Sequence, residues 1–202
     1  MGAVAAIQLG HTGRKGSELA PHDAARLGRS KALAPDEPGG WTCVAPSALP
    51  YGGGHHHPVR ELTVDDIAEL HRSYGQAARR AAEAGYEWLE LHFAHGYLVH
   101  EFLAARRRPG PYGGDFEGRS RLLCDLVSRV RDEVQEHFES ARKDALSEGA
   151  TEVAAHRVAL EALGDAREAN RKYRGVHVTA IEQKLLREDQ WVARVICSRP
   201  YL

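Results

Sequence analysis

Apolar and polar positions follow two different periods along the first two thirds of the chain. Ala3 to Gly10 (AVAAIQLG) is a short apolar run closed by glycine, the pattern of a buried parallel strand. His11 to Gly16 (HTGRKG) is a basic, glycine-containing loop, and residues 17–60 show little periodicity and much Pro, Gly, Ser and His. They read as a long surface excursion. From Thr63 the period becomes helical. Thr63 stands at a cap position with Asp66 three residues on, close to a capping box. Ile67, Leu70, Tyr74, Ala77, Ala78 and Ala81 then share one face, and Gly85 is placed to end the helix at C′.

Tyr86 to His92 (YEWLELH) reads as a short strand, and the order strand, loop, helix, strand implies parallel β/α units. A short helix is expected within His95 to Leu103, then a basic, proline-containing loop from Arg106 to Pro111. A second amphipathic helix is expected from about Phe116 to Phe138, burying Leu122, Leu123, Leu126, Val127, Val130 and Val134. Residues 139–173 are dense in Ala, Glu and Arg with a weak apolar face, and two β-like runs follow, Val176 to Ile181 and Val192 to Ile196. This change of character divides the chain into residues 1–139, a partial β/α barrel, and residues 140–202, a divergent and mainly helical tail.

Composition narrows the class. The chain has 202 residues, 43% hydrophobic and 27% charged, enough for one core but short of the ~250 residues of an ordinary eight-stranded barrel. With 27 basic against 28 acidic residues there is no pull toward nucleic acid or anionic membrane. A mean hydropathy of -0.46 and the absence of a long apolar run argue against a membrane span. Met1 to Leu9 lacks a basic leader and reads as strand rather than signal peptide. Cys43, Cys124 and Cys197 are odd in number and widely spaced, as expected of reduced thiols in a cytoplasmic protein.

The chemistry concentrates in His92-Phe93-Ala94-His95-Gly96-Tyr97, three polar rings within six residues directly after a strand. A separation of three sends His92 and His95 to opposite faces of a straight strand, so they converge only if the chain bends, which Gly96 eases. From spacing alone the rings are ordinary hydrogen-bonded histidines or a hydrogen-bonding site; H-x-x-H is short of ligands for a metal. His55-His56-His57 and Arg106-Arg107-Arg108 read as solvated runs, the latter also as a substrate-side loop. His11 and Arg14 stand just past the first strand, either at the mouth of a site or as plain loop residues.

Several motifs in order decide between these readings: IQLGHTGRKGS, GGWTCVAPSALPY, LTVDDI, GQAARRAAEAGYEWLELHFAHGYLVHEFL and YGGDFEGRSRLL. Together, from Ala5 to about Val134, they resemble the middle of an Old Yellow Enzyme family flavoprotein of the branch with a histidine pair. The resemblance implies a TIM (β/α) barrel holding FMN at the C-terminal mouth of its strands. It also implies NADPH or NADH as hydride donor and an activated alkene, such as an α,β-unsaturated carbonyl compound, as substrate. By the same resemblance His92 and His95 hold the substrate carbonyl oxygen, Tyr97 protonates the α-carbon, and Gln8 bonds the polar edge of the isoalloxazine ring. Arg119 matches a family arginine, for which a structural ion pair is expected.

The chain departs from that pattern at AARRRPGP, where the family carries a serine-proline and asparagine-arginine stretch, and in the absence of the glycine-rich, arginine-containing phosphate loops. The expectation is therefore an incomplete barrel, completed by its own tail or by a second chain as in a homo-oligomer. Otherwise it is a truncated, non-catalytic remnant or interaction module. Open sheet edges are its physical difficulty.

Overall fold

Two parallel strands form the centre of the structure, a computed structural model that describes residues 4–52 and 57–164. β1 (Ala6–Gly10) and β4 (Trp88–His92) pair in register from Ala6 beside Trp88 to Gly10 beside His92. A second parallel pair, β2 (Cys43–Ala45) with β3 (Val59–Glu61), lies in the excursion between them. With α1 (Pro21–Leu27) the excursion is thus partly structured, although its sequence lacks period. Short strands of three residues leave too few positions for alternation to register.

The crossover helix α2 (Val64–Glu83) is bounded by local signals. The Thr63 hydroxyl accepts from the Asp66 N–H at 3.1 Å, and the Asp66 carboxylate accepts from the Thr63 N–H at 2.8 Å, a complete capping box. At the other end Gly85, with φ +83°, takes the left-handed position. The N–H groups of Gly85 and Tyr86 return to the carbonyls of Ala82 and Ala81, which closes the helix as a Schellman motif.

After β4 come α3 (Leu98–Leu103), α4 (Phe116–Ser147) and α5 (Glu152–Ala162). α4 runs unbroken through residue 140, well past the stop its apolar stripe suggests, because the Ala, Glu, Arg and Lys that follow are good helix formers. Ile67, Tyr74 and Ala78 of α2 meet Leu122, Leu126 and Val130 of α4 and Leu98, Val99 and Phe102 of α3 in one buried cluster. Val127 departs from the expected face and is 46% exposed. Glu133 of α4 is buried between Arg79 of α2 and Arg129 one turn away, which ties the two helices where the apolar seam ends.

Among the described residues only one face of β1–β4 is covered. Leu9, Leu89 and Leu91 turn toward the helices, whereas Gln8 and Glu90 are exposed and Trp88 is 64% exposed. The expectation of a buried β1 is corrected: Ala6, Gln8 and Gly10 are exposed, and among the described residues each strand of this sheet pairs only with the other, so its edges are open too. The architecture is α/β, a part of a barrel wall with no closed barrel among the described residues. No described helix is long and apolar enough to cross a membrane. The β-like runs at 176–181 and 192–196, the His55-His56 pair and Cys197 lie outside the described residues; Cys43 is buried, Cys124 exposed, and both are free.

Candidate active site

The open face and the C-terminal ends of β1 and β4 carry the candidate residues. Alternation and register put Gln8, Gly10, Glu90 and His92 on one side of the sheet. Gln8 Nε2 donates to Glu90 Oε1 across the two strands at 2.9 Å. At Gly10 a Cβ would come within 3.2 Å of the His92 Cβ, so the glycine leaves the room that the imidazole occupies.

The chain bends at His95 itself. His95 and Gly96 both sit in the left-handed region, with φ of +56° and +70°, and turn the chain out of the strand. In this turn His95 Nδ1 lies 3.2 Å from His92 Nε2, with ring centroids 5.0 Å apart. Tyr97, at the N-cap of α3, packs its ring edge-on to His92 with centroids 4.9 Å apart. Thus His92, His95 and Tyr97 converge, and the bend needed for this begins one residue before the glycine.

Backbone donors assign the neutral tautomers. The Ala94 N–H donates to His92 Nδ1 at 3.3 Å, so the His92 proton is on Nε2. That proton faces His95 Nδ1, which must accept, leaving the His95 proton on its Nε2. His100 accepts the Gly96 N–H at Nδ1 in the same manner, at 2.9 Å. The site therefore holds a short chain of imidazoles ending in an outward N–H on the exposed His95.

Around it lie residues whose roles spacing alone left open. His11 accepts the Gly13 N–H at Nδ1 (3.0 Å), its carbonyl accepts the Leu98 N–H (3.0 Å), and burial pushes its pKa down. Arg14 faces Glu101 of α3 and donates to the Leu49 carbonyl at 2.8 Å, which makes it part of the frame of the mouth. Lys15, unnoticed in the sequence beyond its loop, donates from Nζ to the His95 carbonyl at 2.6 Å. No local signal marks it, because the two residues are 80 positions apart.

Two expectations are corrected. Arg119 donates to the carbonyls of Asp115 and Leu103 instead of forming the expected ion pair, since the end of α3 presents an open carbonyl there. Arg108 is no solvated charge: its side chain is 6% exposed and donates to the Pro46 and Leu62 carbonyls and to Glu61, while Arg106 and Arg107 stay exposed.

The donor set fits one edge of a flavin ring. With one N–H on Glu90, Gln8 keeps an amide oxygen and a second N–H for a donor–acceptor edge, beside the bare surface of Gly10 and the imidazoles.

Comparison with known proteins places the chain in a family. The sequence model of the NADH:flavin oxidoreductase / NADH oxidase family matches residues 1–195. An NADH:flavin oxidoreductase of Gibberella zeae is 40% identical over 134 residues, covering 64% of this chain and 31% of its own length. An NADPH dehydrogenase of Listeria innocua is 39% identical over 133 residues, 65% of this chain and 33% of its own. Morphinone reductase in complex with tetrahydroNAD superposes with a TM-score of 0.52 at 33% identity, over 65% of this chain and 36% of that one. Histamine dehydrogenase from Rhizobium sp. 4-9 gives a TM-score of 0.52 at 30% identity, over 66% and 17%. The chain thus spans about a third of the length of the curated relatives it matches, 31–33%. With a family match over nearly all its length, the chain belongs to the NADH:flavin oxidoreductase / NADH oxidase family.

Proposed function

We propose that this chain carries the flavin- and substrate-facing part of an FMN-dependent oxidoreductase that takes hydride from NADPH or NADH and reduces the C=C of α,β-unsaturated carbonyl compounds. The convergence of His92, His95 and Tyr97 at the end of β4, on the face shared with Gln8, is the observation that carries it. Bound FMN supplies the hydride chemistry; orientation and proton handling fall to the protein.

In that role Gln8 meets the polar edge of the ring, held by Glu90. A carbonyl oxygen entering beside the imidazoles takes the His92 Nε2–H in place of His95 Nδ1. For His95 to donate from the same side, its proton must move to Nδ1, so binding couples to a tautomer change. Two such donors gain strength as enolate charge grows on the oxygen, which favours the transition state over the ground state. Tyr97, packed on the His92 ring, holds the phenolic proton for the α-carbon.

A second reading, a non-catalytic remnant or interaction module, is favoured by the uncovered face of β1–β4 with its exposed Trp88. Titrating the chain with FMN, followed by flavin absorbance and fluorescence, and then adding NADPH and a cyclic enone, separates the two. Micromolar FMN binding with turnover that falls ~100-fold or more in His92→Ala and Tyr97→Phe supports the enzyme. Protein that stays colourless leaves the remnant.

A further inference from the structure

We infer that Lys15 is a positioning residue for the His92–His95 pair: its ammonium holds the left-handed corner that turns the two rings toward each other. The inference rests on the reading of that pair as the oxygen clamp, to which it adds the part that fixes the geometry.

A clamp is needed because His95 is not glycine. Its φ of +56° is a conformation that a side chain with a Cβ adopts at a cost, and relaxation to right-handed backbone would swing the ring away from His92. Lys15 Nζ donates to the carbonyl of this residue at 2.6 Å. The next residue makes room for it: a Cβ on Gly96 would lie 2.9 Å from the same Nζ. Gly96 therefore serves two ends, the second left-handed turn and the approach of the ammonium.

Two aromatic rings wall the cation. Lys15 Nζ lies 4.7 Å from the Tyr51 ring centroid and 5.8 Å from that of Tyr97, within the range of cation–π attraction. The base of the side chain is equally fixed, for Lys15 ends the 3₁₀ turn Gly13–Lys15, whose Arg14 is bound to Glu101 of α3. Thus the first strand's loop grips the corner after β4 through one ammonium, which acts through the His95 carbonyl.

The test is imidazole ¹H–¹⁵N correlation spectroscopy of the full chain in mildly alkaline buffer. In the unaltered protein His92 is expected with a bare Nδ1 and a protonated Nε2, and with an NOE between the His92 and His95 rings. Lys15→Met is expected to average the tautomers and lose the NOE, with the melting temperature little changed. Lys15→Arg, still able to donate to the carbonyl, is expected to keep both signatures. Unaltered tautomers and NOE in a folded Lys15→Met protein overturn the proposal.

Should Lys15→Met not fold, the unaltered chain decides. Its Lys15 methylene protons are expected upfield under the Tyr51 and Tyr97 rings; random-coil shifts overturn the proposal. These readouts need no flavin. Failure of the chain to bind FMN removes the enzymatic reading while the clamp stands or falls on the spectra.

Discussion

Glu101, on α3, receives Arg14 twice: the Arg14 N–H donates to Oε1 at 3.1 Å and the guanidinium Nε lies 3.3 Å from Oε2. The carboxylate side chain is only 7% exposed, and at Gly13 a Cβ would come within 2.6 Å of it. Burial pushes the Glu101 carboxyl up from its ordinary value, and the Arg14 charge opposes that rise. A group raised in the fold contributes stability below its unfolded pKa, near 4.5 here, and loses it as pH climbs through the folded value. Arg14→Met removes the opposing charge and extends that loss upward. The variant is expected to be about 3 kcal/mol less stable at neutral pH, with the deficit shrinking toward acid. Urea unfolding across that pH range, with Glu101→Gln added as the rescuing change, measures it.

Gln8 and Glu90 make the second prediction, since their bond assigns which end of the amide is nitrogen. Glu90→Gln keeps the shape but lets the amide of Gln8 flip, and FMN affinity is expected to fall about fivefold, the worth of one ordinary hydrogen bond. Gln8→Leu removes both groups proposed to meet the flavin and is expected to cost about tenfold or more. Quenching of FMN fluorescence during titration reads both.

The capping box makes a third. Thr63→Ala removes the acceptor for the Asp66 N–H and is expected to cost about 1 kcal/mol in thermal melts. Arg60 and the Thr63 N–H and hydroxyl together hold the Asp66 carboxyl well below its ordinary range. A depressed group adds stability above its unfolded pKa, near 3.8, and loses it as pH falls through the folded value. Asp66→Asn should therefore flatten the acid limb of the stability profile, and loss of stability only above neutral pH would contradict it.

What the sequence made legible was whatever neighbours in the chain decide. The limits of α2 follow from Thr63, Asp66 and Gly85 within a few residues of each end, and the strand order follows from alternation of helix and strand. The need for a bend between His92 and His95 was also readable, because strand geometry alone forbids their meeting. Its position was not, since nothing near His95 in the chain marks it for the left-handed region, and the Lys15 contact on its carbonyl spans 80 positions. The one-sided burial of β1 was written in AIQLG as polar Gln8 among apolar residues, but a single polar position does not outweigh a run that suits a doubly buried strand. Arg108 escaped for a similar reason: nothing within Arg106-Arg107-Arg108 distinguishes the residue whose carbonyl partners lie 46 and 62 positions earlier.

That triplet offers the sharpest contrast for a last prediction. Arg108 Nη1 donates to the Pro46 carbonyl at 2.7 Å and Nη2 to the Leu62 carbonyl at 2.6 Å, and the guanidinium carbon sits 5.2 Å from the centroid of the Phe102 ring. One planar fork thus joins the end of β2, the end of β3 and the underside of α3. Lysine cannot reproduce it, because its ammonium is a point donor with no flat face to lay on a ring and no fixed pair of N–H directions. Arg108→Lys is expected to destabilise by about 2 kcal/mol, and Arg108→Ala by more, as two buried carbonyls lose their donor. Arg106→Ala and Arg107→Ala, both exposed, are expected to stay within about 0.5 kcal/mol of the unaltered protein. Equal effects at all three positions in urea unfolding would mean that the run acts as a diffuse charge, and the fork would lose its place as the joint between the excursion and the barrel wall.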